Sequence, residues 1–374
     1  MSAARIAFHA TLKAPDHPTP SGDRTMARLL VGALETAGFD VRMPSRISTR
    51  TRVSDAGELG RIQGMALAEA DRLVAGFRQP GAWRPDLWFT YHLYYKAPDW
   101  IGAAVARTLD IPYVVAEASY AGKRDRDGWA PWQQAALAQL RAADRIFCVS
   151  EADRRGIAPF VTADRLVDLP PFLDTEPFSA LARPAAAAGN PIRLVTIAMM
   201  REGVKLDSYR HLAAALDRLS GYRWTLTIVG DGPARAEVEP AFATLPAGRV
   251  TWHGLTDATG VRSVLANSDL MVWPGIGEAF GMVYLEAAAA GVPSIAYANG
   301  GIASVIRDGE TGLLVAPGDV AAYAEAIASL IESPVRRATL AANACAFAHG
   351  ERSLGKAAAR LAAVLHPLAD NGVS

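Results

Sequence analysis

Short apolar runs alternate with longer stretches of helical period along this chain, and that alternation admits few folds. Strands that recur with an amphipathic helix between them pair in parallel, and a parallel sheet needs helices on both faces. Arg5–Ala10 reads as a strand. Met26, Leu29, Leu30, Ala33, Leu34 and Ala37 then share one helical face that Gly38 closes, and FDVRM returns as the next strand. Further strands are expected at 86–91, 112–116 and 145–149, with helices near 57–77, 97–109 and 129–142. The chain is α/β, and its first half completes one doubly wound domain.

At 181–190 the rhythm breaks into LARPAAAAGN, which has no amphipathic pattern and reads as a linker. The alternation then restarts with strands at 192–198, 224–230, 249–254, 269–274 and 292–297, and a helix at 207–219 stopped by Gly221. The expected plan is an N-terminal domain 1–180, the linker, a second doubly wound domain 191–350, and a C-terminal helix within 351–374 returning to the first domain. The length of 374 residues supports two separate cores. Ligands of such sheets sit beyond the carboxyl ends of the strands, so the loops there are where chemistry is expected.

Lys plus Arg equals Asp plus Glu at 38 each, so the chain lacks the overall field that would draw nucleic acid or an anionic bilayer. Cys148 and Cys345 lie far apart with no metal-ligand spacing. The N-terminus reads without a secretion signal, and the Ala-rich stretch 287–298 is broken by Gly291 and Pro293 before it reaches membrane-spanning length. A cytoplasmic protein, at most peripherally associated with a membrane, is expected.

The strand at 269–274 runs into GIGEAFG and then a helix carrying GMVYLEAAAAG. Glu278 falls in the loop and Glu286 about two turns into the helix, so both can face one ligand. The first helical N–H groups, at Phe280, Gly281, Met282 and Val283, carry the positive end of the helix dipole and suit a diphosphate or sugar oxygens. Carboxylates accept hydrogen bonds from vicinal hydroxyls. By spacing alone, a loop carboxylate and a solvated helix residue is the commoner reading.

The whole stretch EAFGMVYLEAAAAGVPSIAYANGGIASVIRDGETGLLVAPGD, 278–319, resembles the signature of retaining glycosyltransferases of family 4, which have the GT-B fold of two Rossmann-like domains facing each other across a cleft. The resemblance covers about 190–350 well and the first half only in outline. It implies that Glu278 binds the transferred sugar and Glu286 the ribose of a nucleotide sugar. It also implies that Arg201 and Lys205, in IAMMREGVKLDSY, clamp the donor diphosphate, although Leu206 stands where a glycine commonly follows the lysine. Gly230 in GDGP, Gly254 and Leu255 after RVTWHG, and NGG at 299–301 resemble the family's loops near phosphate, base and sugar. Gly-Asp-Gly turns are common by themselves.

In the N-terminal half, SGDRT places Gly22 in the loop that lies near the sugar in many family members, or simply at a helix start. The histidine usual after the strand matching PYVVA is absent, and Glu117 or Ser119 stands near its place. Glu117, and His92 at the end of another strand, are the catalytic-region candidates; a salt-bridged strand end and a structural histidine are their ordinary readings. Nearby aromatics, Tyr94 and Tyr95 among them, suit stacking on a sugar as well as a plain core and rim. DRD at 125–127 reads as a solvated loop, and no other cluster has metal-ligand spacing, so no metal and no cofactor beyond the nucleotide-sugar co-substrate is expected. Arg46, Arg50 and Arg52 read as a solvated loop or as a dock for an anionic surface.

The reaction implied is transfer of a hexose from a nucleoside diphosphate sugar to a hydroxyl of a carbohydrate or lipid-linked acceptor, with retention and without metal. The alternatives are a degenerate sugar-nucleotide-binding scaffold and a nucleotide-sugar epimerase. A nicotinamide-dependent dehydrogenase lacks its fingerprint, since no G-x-G-x-x-G follows the first strand.

Overall fold

The computed structural model describes residues 3–19, 21–181 and 190–371, which leaves most of the expected linker outside the described residues. The chain divides into two compact units, 1–170 with 354–374 and 171–353. The first crossing lies ahead of the expected residue 180 because Leu173 and Phe178 already pack into the core of the second unit.

Unit 1 runs β1 (Arg5–Ala10), α1 (Gly22–Thr36), β2 (Asp40–Arg42), α2 (Ala56–Phe77), β3 (Leu87–Leu93), α3 (Trp100–Leu109), β4 (Tyr113–Ala118), α4 (Ala130–Ala142), β5 (Arg145–Cys148), α5 (Glu151–Ile157) and β6 (Leu166–Asp168). Ser21, Asp55, Asp99 and Ser150 start α1, α2, α3 and α5 by accepting a hydrogen bond from the N–H three residues on. The strands are parallel in the order β2-β1-β3-β4-β5-β6.

Unit 2 runs α6 (Glu176–Ser179), β7 (Ile192–Ile197), α7 (Val204–Asp217), β8 (Trp224–Val229), α8 (Arg235–Ala241), β9 (Val250–Gly254), α9 (Ala258–Ala266), β10 (Leu270–Val272), α10 (Met282–Ala289), β11 (Ser294–Tyr297), β12 (Gly312–Val315), α11 (Val320–Glu332) and α12 (Pro334–Glu351). Its parallel sheet has the order β12-β11-β10-β7-β8-β9. The chain then ends in α13 (Leu354–Asn371), where His366 stacks on Phe39 and its Nε2 lies 3.0 Å from the Ala37 carbonyl, within unit 1.

Each sheet changes winding direction beside its first strand, between β1 and β3 in unit 1 and between β7 and β10 in unit 2. Chain segments leave such a point in opposite directions and open a crevice at the strands' carboxyl ends. Among the described residues no helix is long and apolar enough to cross a membrane.

A buried polar network ties unit 1 together. His9 and Asp99 are fully buried, with His9 Nδ1 3.2 Å from Asp99 Oδ1 and Nε2 2.9 Å from the Ile47 carbonyl. Both ring nitrogens face acceptors, an arrangement that favours the doubly protonated imidazolium. Asp99 also accepts from Thr90, the Tyr113 hydroxyl and the Gly102 N–H. Burial pushes the His9 pKa down, but the hydrogen bond and charge of Asp99 outweigh it and the net direction is up. Asp99→Asn strands this cation, so an expected loss of about 3–5 kcal/mol should appear as a lower urea midpoint for unit 1. Because the folded pKa of His9 is raised, the parent's contribution is complete below about pH 6.5 and is lost as pH rises through the folded value. The variant should lack that alkaline decline.

Candidate functional site

In unit 2 the crevice between β7 and β10 is lined by the loops that follow those two strands. After β7 the chain turns at Gly203, whose φ of 74° starts α7. That start comes three residues earlier than the expected 207, so Lys205 lies within the first helical turn and not ahead of the helix. Arg201 is exposed and makes no ion pair among the described residues.

The loop after β10 is pinned to α7, since the Ile276 N–H donates to Ser208 Oγ at 3.0 Å. It carries Glu278 back over the strand end. There Glu278 Oε1 accepts from Lys205 Nζ and, at 3.2 Å, from Trp273 Nε1. The ammonium also lies 5.5 Å from the centre of the Trp273 ring. Lys205 is therefore neutralised by Glu278, leaving Arg201 as the unpaired cation.

Several glycines expected near the ligand are required by the protein's own backbone. A Cβ on Gly230 would stand 1.9 Å from the Ala198 carbonyl oxygen, and one on Gly232 2.2 Å from that of Met200. Hydrogen bonds from the Met200 N–H to the Asp231 carbonyl and from the Ala234 N–H to the Met200 carbonyl close the same seam. In NGG, a Cβ on Gly300 would lie 2.5 Å from the Glu278 carbonyl and one on Gly301 2.2 Å from that of Ala279. The close passage read from the sequence is thus chain against chain. Gly254 ends β9 with φ 77°, and Leu255 after it is 73% exposed.

Gly281, with φ 72°, starts α10 at Met282, so Glu286 stands just over one turn into the helix instead of two. Among the described residues the N–H groups of Phe280, Gly281, Met282 and Val283 have no acceptor in the chain. The Glu286 carboxylate is half-buried and makes no hydrogen bond there either. Burial pushes its pKa up to about 7, only partly offset by Arg262. A carboxylate left in this state is a strong acceptor awaiting donors.

In unit 1, His92 and Glu117 meet at the ends of β3 and β4. His92 Nδ1 lies 3.7 Å from Glu117 Oε1 and 3.5 Å from Asp23 Oδ1. Among the described residues three non-glycine residues have positive φ, and two of them are His92 at 68° and Glu117 at 59°. Such backbone costs about 1–3 kcal/mol per residue. Gly22, by contrast, is the first residue of α1, with open space around it and no left-handed conformation. The side chain of SGDRT that reaches His92 is that of Asp23, which the sequence reading passed over, as it did Trp273. An acidic residue in the first turn of a helix that follows a strand end was the available signal for Asp23.

Asp125 and Asp127 of DRD are engaged locally, with Tyr120 and Gln133 and with Arg124. Among the described residues no group of three or more His, Cys, Asp or Glu is placed to hold a metal ion.

A family profile described as "Glycosyl transferases group 1" matches residues 191–333, most of unit 2. D-inositol 3-phosphate glycosyltransferase 1 of Catenulispora acidiphila is 29% identical over 326 residues, 80% of this chain and 74% of that protein. Among solved structures, sucrose-phosphate synthase from Thermosynechococcus elongatus superposes with TM-score 0.72 at 20% identity, over 98% of this chain and 100% of that one. Anabaena HepE in complex with UDP and glucose gives TM-score 0.69 at 17% identity, over 96% and 98%. The profile falls on the unit that carries Lys205, Glu278 and Glu286, and the two-unit α/β fold is shared nearly end to end, so residues 191–333 are similar to the group 1 glycosyltransferases and the chain has the GT-B fold of these structures.

Proposed function

We propose that this protein is a glycosyltransferase that moves a hexose from a nucleoside diphosphate sugar to an acceptor hydroxyl with retention of configuration and without a bound metal. The observation that carries the reading is Glu286, half-buried and without a hydrogen-bond partner among the described residues, just past four unengaged helical N–H groups. A ribose offers the vicinal hydroxyls that the carboxylate lacks, and a diphosphate suits the N–H groups and the helix dipole. A structure similar in fold, that of HepE, holds UDP and glucose, which supports the same ligand class here. Leu255, exposed after β9 beside Gly254, is the proposed contact for the base.

Chemistry follows from charge. Departure of the diphosphate leaves an oxocarbenium-like sugar and a growing negative charge, and groups aimed at that charge lower the barrier. Arg201, Lys205 and the N–H groups of Phe280–Val283 would take that role, so no metal is required. Glu278 would hold the sugar through its hydroxyls, and the departing phosphate oxygen would take the acceptor's proton. The acceptor is a carbohydrate or a lipid-linked sugar, the protein acting in the cytoplasm or at a membrane surface.

A thermal-shift panel of UDP-, GDP- and ADP-sugars tests the reading, because a ligand bound only by the folded state raises the midpoint. No shift with any of them would overturn it. Arg201→Ala is expected to lower kcat by about 10²–10³-fold, measured by release of nucleoside diphosphate. Hydrogen bonds to charged groups contribute about 1.5–3 kcal/mol, so Glu286→Gln should weaken donor binding by roughly 10–100-fold. Since the ionised carboxylate is the acceptor, donor affinity in the parent should rise as pH passes upward through about 7, and calorimetry on the Gln variant should show no such step. EDTA should leave the parent's transfer rate unchanged.

A further inference from the structure

Beside α2, the helices α3 and α4 of unit 1 leave a groove of about 710 Å³ between them. Trp100, Ala103 and Arg107 line it at i, i+3 and i+7 along α3, and Ala135, Ala138 and Ala142 repeat that spacing along α4. Such spacing puts each trio on one helix face. Alanine methyls are too short to meet across the seam, so the space between the faces stays open. Tyr113, first in β4, and Asp144, just before β5, also line the groove. It therefore lies toward the amino ends of the strands, away from the carboxyl edge where ligands of such sheets gather. Its volume falls within the range of about 300–1,000 Å³ that small-molecule sites occupy.

Space alone does not make a site, but this groove also carries two buried donors. Gln139, 5% exposed, lines it from α4. Its Oε1 accepts from the Asp99 N–H at 2.7 Å, and because a backbone N–H only donates, the amide orientation is fixed and Nε2 is left over. That nitrogen has no acceptor among the described residues. Trp100, 7% exposed, packs against Trp132 with ring centres 6.0 Å apart. Its indole N–H likewise has no acceptor among the described residues. Buried polar groups in folded proteins are almost always paired, so two such donors on one groove call for a molecule that brings acceptors.

The surroundings narrow its chemistry. Every charged residue along the groove, namely Arg107, Asp110 and Asp144, is exposed or half-buried, whereas the enclosed donors are an amide and an indole. An ion set against those donors would lose its water without gaining a counter-charge. A carbonyl oxygen loses less and gains both hydrogen bonds. The Tyr113 hydroxyl already donates to Asp99 at 3.1 Å, so that residue adds only its ring. Walls of methyl groups and aromatic rings suit a flat, largely apolar body.

We infer that this groove is a second ligand site, which takes an uncharged planar aromatic molecule whose carbonyl oxygen accepts from Gln139 Nε2 and Trp100 Nε1. The occupant touches the buried network of unit 1 through Gln139, since the same amide holds the N–H of Asp99, whose carboxylate faces His9. The assignment does not rest on the transferase reading.

The test is calorimetry on the full chain with nicotinamide, coumarin, theobromine and lumichrome, with toluene as the probe that lacks an acceptor and nicotinate as the charged one. At least one carbonyl probe should bind saturably, and more tightly than toluene or nicotinate. Ala138→Leu fills the slot from an exposed position and should abolish that binding. Trp100→Phe keeps a ring but loses the N–H, and should weaken it by about 2–10-fold. No binding by any carbonyl probe, equal binding of toluene or nicotinate, or an affinity unchanged in both variants would overturn the assignment. A dimer in sedimentation that Ala138→Leu returns to monomer would overturn it too, because the groove would then belong to a second copy. Nucleoside diphosphate sugars should not displace the probe, so this reading and that of unit 2 fail separately.

Discussion

The edge of unit 2 that carries Lys205, Glu278 and Glu286 depends on a steric constraint, the approach of one loop's backbone to another's at distances no side chain permits. Gly230 and Gly232 lie against the carbonyls of Ala198 and Met200, fixing the loop that presents Arg201. Gly300 and Gly301 lie against those of Glu278 and Ala279, fixing the loop that presents the acidic residue. Each charged group is thereby held from behind by a neighbouring strand's loop, and rigidity reaches the site through the main chain. A methyl group at any of these glycines would displace a loop without touching a charged side chain. Positive φ at three of them, 136° at Gly230, 156° at Gly232 and 48° at Gly300, adds a second reason why other residues do not fit.

Two histidines of unit 1 show how a buried polar group can be told apart by its partners. His9 has an acceptor at each ring nitrogen and lies in ordinary strand geometry, so its network is complete and its place is structural. His92, one position before the end of β3, has strained backbone and an unengaged nitrogen. The same residue type thus serves opposite ends: the His9 side chain is fully enclosed with both nitrogens engaged, whereas that of His92 keeps 17% of its exposure and an unengaged buried nitrogen.

Most of the architecture was legible in the sequence because a parallel sheet buried on both faces writes its strands as continuous apolar runs. IAFHA, LWFTYHL and IRLVTI announce β1, β3 and β7 in that way. β6 and β12, the outer strands of their sheets at three and four residues, were missed. The start of α7 was misplaced because Gly203 looks like a breaker, when its left-handed conformation is what turns the chain into the helix. Lys205, Glu278 and Glu286 stand out in the sequence as candidates because their motif is local, whereas the pairing of Lys205 with Glu278 joins residues 73 apart and leaves no local trace. Nothing in the residues around His92 or Glu117 marks positive φ, so their meeting with Asp23 belongs to tertiary structure alone.

The ion pair between Lys205 and Glu278 has a consequence for discrimination. Each group is the other's counter-ion, and Trp273 beneath them offers one indole N–H and an aromatic face but no replacement charge. A visitor that attracts the ammonium alone strips the carboxylate of its partner in a recess where the side chains keep only 23% and 17% of their exposure. A visitor with an anion at one end and hydroxyls at the other compensates both losses at once. Under the proposed function the pair would act as a coincidence detector: fragments carrying only half of that chemistry would meet a closed circuit, and discrimination would arise before any bond is rearranged.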